Sequence, residues 1–244
     1  MIDVAHLGGI AILTLNRPEA RNALATRHWL RLAEAVAAFA DSDAQVVLLR
    51  SADPRCFCAG ADLNEFPALA DDPAARHSFL VAMRAAIDGL AAMPLPVIGV
   101  VDGECHGAGV ALVMACDIVL AGRQARFSIP AARIGLTYPV ADVRRLTARA
   151  GPGGAARLLL AAERIAADEA LRLRLVDQVA ERPEVAAEAM AQTMIANDGA
   201  AMALLKQRIA DPDAADDGAG FLDRFGAPSF TARLNAARSG LGRQ

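Results

Sequence analysis

The sequence lacks the features that would place it in a membrane, on a nucleic acid or in an oxidising compartment. No apolar run reaches the roughly 18–20 residues that a membrane-spanning helix needs. The start of the chain has no basic segment followed by an apolar core, so no secretory leader is expected and a cytoplasmic location is. The net charge is only −3 at pH 7, which gives no electrostatic ground for binding nucleic acid or an anionic lipid surface. Cysteine is sparse, limited to Cys56, Cys58, Cys105 and Cys116. A chain of 244 residues, 55% of them hydrophobic, builds a core without a disulfide scaffold. Cys56 and Cys58 lie closer together than a usual zinc-binding pair, and no His/Cys pair follows them. His6, His28, His77 and His106 share no ligand spacing. No metal is therefore expected, and the cysteines read as small buried hydrophobes. There is no Gly/Ser linker and no repeat of fixed period.

What is present is an alternation of strand-like and helical stretches. Residues 2–5 and 10–15 read as a hairpin turning at Gly8-Gly9. Thr26 is placed to cap a helix running to about Ala40, with Leu30, Ala33, Val36, Ala37 and Ala40 at helical spacing. Residues 46–49 show no alternation and suit a strand buried on both faces. Residues 63–69 form a short element ending at Asp71-Asp72-Pro73. Residues 74–92 read as a long helix with Phe79, Met83, Ala86, Ile87 and Leu90 on one face. Residues 97–101, 118–121 and 126–128 are further strands, and 108–115 an apolar helix. A helix beginning near Pro139 is broken by Gly151-Pro152-Gly153-Gly154. Everything after Pro183 reads as helix. Strands followed by helices several times over indicate an α/β fold.

Two strand ends stand out. The strand at 46–49 leads to Arg55-Cys56-Phe57-Cys58-Ala59-Gly60-Ala61-Asp62-Leu63, a small-residue turn closed by an acid. The strand at 97–101 leads through Asp102-Gly103 to His106-Gly107-Ala108-Gly109 and opens an apolar helix, whose N-terminal dipole favours negative charge. Each leaves backbone N–H groups at the end of a buried strand. Two such groups converging on one carbonyl oxygen make an oxyanion hole.

On these residues the chain resembles the crotonase (enoyl-CoA hydratase/isomerase) superfamily. The similar segments are Asn16-Arg17-Pro18-Glu19-Ala20-Arg21-Asn22-Ala23-Leu24 and Phe57-Cys58-Ala59-Gly60-Ala61-Asp62-Leu63. They continue with Gly107-Ala108-Gly109 leading to Cys116-Asp117-Ile118, Phe127-Ser128-Ile129-Pro130 leading to Ile134-Gly135-Leu136, then Arg145-Leu146 and Gly151. They keep family order and spacing from about residue 10 to about residue 180. The resemblance implies a spiral of ββα units over residues 1–190 and a helical C-terminal region over 191–244 that makes a homotrimer, often paired into a hexamer. It implies an acyl-CoA thioester as ligand, with coenzyme A part of the substrate and no separate cofactor. By motif position the backbone N–H groups of Ala61 and Ala108 would polarise the thioester carbonyl and stabilise an enolate. The family usually has glycine at the second of these. Ala59, Gly60, Gly107 and Gly109 would shape the two turns, and Asp62 would cap the helix that follows. Arg21 stands where a basic residue often lies near the coenzyme A phosphates; a solvated arginine is the plain alternative. Phe66, with Phe79 and Met83, would line an acyl pocket or simply fill the core.

The same comparison exposes what is missing. Hydratases of the family use two glutamates, at the positions held here by Ala111 and by Ala131 after Pro130. Alanine cannot move a proton. A third position used by some relatives falls near Pro139, also non-acidic. His106 and Asp142 are the nearest substitutes for an acid or base, with Tyr138 in the same loop as Asp142; Glu104 is close in sequence but reads as facing solvent or a subunit contact, and Glu65 is a remote candidate. For His106 the structural alternative is a hydrogen-bonded histidine at a strand end. Two readings follow: an enoyl-CoA hydratase/isomerase relative with displaced acid/base groups, and an acyl-CoA carrier that kept the pocket without the chemistry.

Overall fold

The computed structural model describes residues 2–39, 42–215 and 218–241. Runs of Val, Ile and Leu set a large sheet. β1 (Ile2–Leu7) and β2 (Ile10–Leu15) form an antiparallel hairpin through Gly8 and Gly9, both with left-handed φ (54° and 84°). β2 then pairs in parallel with β3 (Val46–Ser51) and β3 with β5 (Val97–Val101). β7 (Ile118–Gly122) and β10 (Gln178–Ala180) extend the sheet, also in parallel. β5 is buried along its whole length, as strands covered on both faces are.

The second sheet is built from very short strands. β4 (Cys56–Cys58), β6 (Glu104–His106), β8 (Arg126–Ser128) and β9 (Ile165–Ala166) pair in that order. The two sheets share a simple rule. The first strand of each pair, β3, β5 or β7, enters the large sheet, and the second, β4, β6 or β8, enters the small one. A helix follows each pair: α2 (Phe66–Asp71) with α3 (Pro73–Ala92), then α4 (Ala108–Met114), then α5 (Val140–Leu159). That repeat is the expected ββα spiral. Inside α5 the backbone breaks at Gly151 (φ 68°, ψ 169°), where the Gly-Pro-Gly-Gly run breaks it.

α1 (Thr26–Ala38) differs from expectation in its cap and its face. Ala25, not Thr26, is the N-cap, and the side chain at its N–H is His28, whose Nδ1 accepts at 3.0 Å. Burial lowers the pKa of His28, which keeps that nitrogen available as an acceptor. Thr26 N donates instead to Glu65 Oε2 at 2.8 Å. The buried stripe is His28, Trp29, Leu32 and Val36, while Leu30 is 49% exposed. At 100° per residue, seating the large Trp29 ring in the core turns Leu30 outward. Ala40 lies outside the described residues.

α6 (Ala167–Arg172) leads into β10. α7 (Pro183–Ile195) crosses the other face of the large sheet, where Ala187 and Ala191 pack on Ile10, Ile12, Val46, Ile98 and Leu120. Position 190 therefore falls inside a helix of the core. α8 (Gly199–Ala210), α9 (Ala219–Phe225) and α10 (Pro228–Leu241) make a helical C-terminal region. Leu205, Ile209, Phe221 and Phe225 are exposed on it. α8 is tied to the core by Lys206, the single lysine of the chain. Its Nζ, on a residue 8% exposed, lies 2.8 Å from Asp117 Oδ2 and 2.8 Å from Leu95 O. No helix among the described residues is long and apolar enough to cross a membrane. The cysteines are buried free thiols.

The loop from Arg17 to Leu24 is fastened by one amide. Asn22 is buried in a left-handed conformation (φ 55°). Its Nδ2 donates to Ser51 Oγ, Cys56 O and Phe57 O at 2.8, 3.2 and 3.0 Å, and its Oδ1 accepts from Arg17 N at 2.7 Å. Asn22→Ala removes these bonds and places Cβ in a conformation that only Gly and Asn adopt readily. It should cost about 3 kcal/mol by urea denaturation. Asn22→Gly, which relieves the backbone, should cost measurably less.

Candidate functional site

β4 and β6 run parallel, and each ends in a turn that only glycine can make. After β4, Gly60 has φ 95°; after β6, Gly107 has φ 49° and ψ −125°. The turns touch. A Cβ on Gly60 would sit 2.8 Å from His106 O and 3.2 Å from Ala108 N. A Cβ on Gly109 would sit 2.8 Å from Cys58 O and 2.9 Å from Cys58 Cβ. Side chains at either position would push the turns apart.

Ala61 and Ala108 follow these turns directly. Leu24 N donates to Gly60 O at 2.8 Å and Asp62 N to Leu24 O at 3.1 Å, so Ala61 is held between two pinned neighbours. Ala108 is the first residue of α4, where a backbone N–H has no helical acceptor. Neither Ala61 N–H nor Ala108 N–H meets an acceptor among the described residues. The unusual φ falls on Gly107, so alanine is accommodated at 108 in helical backbone.

The other residues singled out in the sequence distribute around this pair. Ala59 N donates to Arg21 O at 2.9 Å, which lays the Arg21 loop along the first turn; Arg21 itself is exposed and left-handed (φ 52°). Asp62 is the cap of a short turn, accepting from Asn64 N at 3.1 Å. Its other oxygen accepts from Arg17 Nη1 at 2.7 Å, and the same Nη1 donates to Ala23 O. That arginine hydrogen bond holds the Asp62 carboxyl below its usual range. Phe66 is half-buried at the head of α2. Ala111 is 2% exposed, and Ala131 packs against the same core. Tyr138 packs there too, and its hydroxyl donates to Gly107 O at 2.6 Å. Burial pushes that hydroxyl well above the usual tyrosine value, so it stays protonated.

His106 and Asp142 are both engaged elsewhere. Side chains alternate along a strand. Cys105 and Phe127 face the core, so His106 and its register partner Ser128 face the other side of the small sheet. There the imidazole meets Ser128 Oγ at 2.8 Å through Nδ1 and Glu104 Oε2 at 2.7 Å through Nε2. Arg164 closes the cluster on Glu104. Burial lowers the His106 pKa. The ring thus lies opposite the cluster that holds Ala111, Ala131 and Tyr138. Asp142 is clamped by Arg84 Nη1 at 2.6 Å and Arg145 Nη1 at 3.3 Å, and the two arginines share Asp88. With a side chain 1% exposed, it is a buried ion-paired group. The arginine partners lie 58 residues away for Arg84 and three for Arg145. Asn22 and Arg17, which fix the loop against both β4 and Asp62, shape the candidate site and were not marked by residue chemistry alone. Their signal in the sequence is membership of the Asn16–Leu24 motif.

A ββα spiral with two abutting glycine turns at parallel strand ends defines a crotonase-type α/β protein. The sequence profile of the enoyl-CoA hydratase/isomerase family matches residues 6–217. The chain belongs to this family. It is 34% identical over 206 residues to a short-chain-enoyl-CoA hydratase of Clostridium acetobutylicum, covering 83% of this chain and 78% of that protein. It is 34% identical over 180 residues to a crotonyl-CoA hydratase of Syntrophomonas wolfei, covering 73% and 68%. The solved structure of an enoyl-CoA hydratase/isomerase family protein from Hyphomonas neptunium superposes with a TM-score of 0.93 at 30% identity, over 98% of this chain and 95% of that one.

The lowered Asp62 carboxyl has a consequence for acid stability. A depressed carboxylate contributes stability above its unfolded value, 3.8, and loses it as pH falls through the folded value. Asp62→Asn should therefore lower stability at pH 7 by about 2 kcal/mol. Its acid unfolding limb below pH 3.8 should be shallower than the wild type's in denaturation curves taken across that range.

Proposed function

We propose that the chain binds acyl-CoA thioesters and polarises their carbonyl between Ala61 N–H and Ala108 N–H. The observation that carries this reading is the contact between the two turns, so close that a Cβ added to Gly60 would lie 3.2 Å from Ala108 N. Two unpaired backbone donors brought together in this way suit an oxygen that gains negative charge. Arg21, exposed beside the first turn, suits the coenzyme A phosphates. Coenzyme A then enters as part of the ligand, and no other cofactor is required. The relatives' hydratase names support an enoyl thioester as the acyl class.

With alanine at 111 and 131, polarisation is retained and proton transfer is not supplied from those positions. His106 and Asp142 remain the acid/base candidates, each now carrying partners that an active role must break. Crotonyl-CoA hydration by the wild type should therefore be very slow, followed as loss of enoyl absorbance. Ala111→Glu with Ala131→Glu should raise it by at least ~10²-fold, the low end of one acid/base group. Ordinary hydratase rates in the wild type would show that another residue carries the proton. The alanine pair also favours a second reading, a carrier that binds acyl-CoA without turnover. Calorimetry with saturated and unsaturated acyl-CoAs, beside the hydration assay, separates the two. Absence of binding by every acyl-CoA would remove both.

The exposed apolar side chains of α8 and α9 suit burial between subunits, and the proposed assembly is a homotrimer or a hexamer built from two of them. Light scattering at micromolar concentration should give a mass of three or six chains; a monomer would refute this.

A further inference from the structure

The peptide between Gly107 and Ala108 is held at its carbonyl end. Its carbonyl accepts from the Tyr138 hydroxyl at 2.6 Å and from Val110 N at 2.9 Å. Its N–H is the second proposed oxyanion donor. In a trans peptide C=O and N–H point in opposite directions within one rigid plane. A donor on the oxygen and an acceptor at the N–H therefore load the same unit, and hydrogen bonds in such a chain polarise one another. Orientation matters as well. Gly107 (φ 49°, ψ −125°) lies in a region where local sterics hold a glycine loosely, so the plane beyond it needs an outside restraint. Tyr138 approaches from just before α5. The first turn of that helix is pinned by Asp142, whose N–H donates to Pro139 O at 3.0 Å and whose carboxylate is clamped by Arg84 and Arg145.

We propose that Tyr138 is a positioning residue that orients and strengthens the Ala108 N–H donor through the Gly107 carbonyl. This rests on the acyl-thioester reading above. It also gives the buried Arg84–Asp142–Arg145 cluster a place in the site, as the anchor of the segment that carries the tyrosine. Tyr138 touches no reacting atom in this role. It acts on how far the thioester carbonyl is polarised rather than on whether the ligand is held.

The chain contains one tyrosine, so biosynthetic replacement by 3-fluorotyrosine alters Tyr138 alone. The probe is crotonyl-CoA carrying ¹³C at the thioester carbonyl, with its C=O stretch read by difference infrared spectroscopy and its affinity by calorimetry. On the wild type the stretch should move to lower frequency. In Tyr138→Phe, which keeps the ring, affinity should stay within about threefold while the downshift shrinks by roughly a tenth to a third. The fluorinated protein, whose hydroxyl is a stronger donor, should show a larger downshift than the wild type. It keeps the proposal open to test if the phenylalanine variant folds poorly. Equal downshifts in the wild type and the fluorinated protein, with crotonyl-CoA bound to both, would overturn the role of Tyr138 and leave the thioester reading intact. No binding of crotonyl-CoA or any other acyl-CoA to the wild type would remove both.

Discussion

The site depends on a steric fact: two backbone turns from different ββα units come close enough to touch. The contact is made of hydrogen atoms on Gly60 and Gly109, facing His106 O, Ala108 N and Cys58. Everything nearby serves that approach. β4 and β6 must end side by side, and they pair in parallel with a register shift between Cys56 and Cys58. The helix α4 must start at once, without a linker, so that its first N–H lies at the contact. Cysteine and alanine fill the space around the turns because larger side chains would separate them. The thiol of Cys58, pushed up to about 12 by burial, is packing material rather than a nucleophile.

A second layer of polar contacts fixes the position of the first turn. Arg17 bonds both Ala23 O and Asp62, and Asn22 bonds the end of β4. Leu24 and Asp62 lace the loop to the turn through the backbone. The loop therefore does two jobs at once: it presents Arg21 at the surface and it sets where Ala61 N–H points. Buried hydrogen bonds of this kind contribute about 1 kcal/mol each when made and cost more when broken, so one substitution in the loop acts on the turn as a unit.

The centre of the large sheet was legible because β3 and β5 carry apolar runs that are buried on both faces. Residues 46–49 and 97–101 leave no other place for themselves but a core. The small sheet was mostly not legible, since the three residues of β4 or β6 are too few to display a period of two. The face of α1 was misjudged by a fraction of a turn, because several apolar side chains competed and Trp29, by size, took the interior. Its cap was missed because the side chain that accepts from Ala25 N–H is His28, a type with no strong capping preference. At the site, the alanines at 111 and 131 were readable from motif position, since a missing carboxylate is visible in sequence. The clamp on Asp142 was not: Arg84 reaches it from another helix, 58 residues away, and no local pattern announces that pairing. The direction of His106 follows from strand alternation, but only once β6 is known to be a strand.

Lys206 is enclosed by Asp117 and Leu95 O, and apart from four histidines every other basic residue of the chain is arginine. A primary amine attacks an activated ester; a guanidinium, protonated at any ordinary pH, does not. For a chain read as a holder of acyl thioesters, the surface thus presents no side-chain amine to its own cargo. Acyl groups that decorate exposed lysines on other proteins would find no such acceptor here. Amine-directed dyes, cross-linkers and coupling resins would likewise find no exposed lysine to react with, and the four thiols are buried as well.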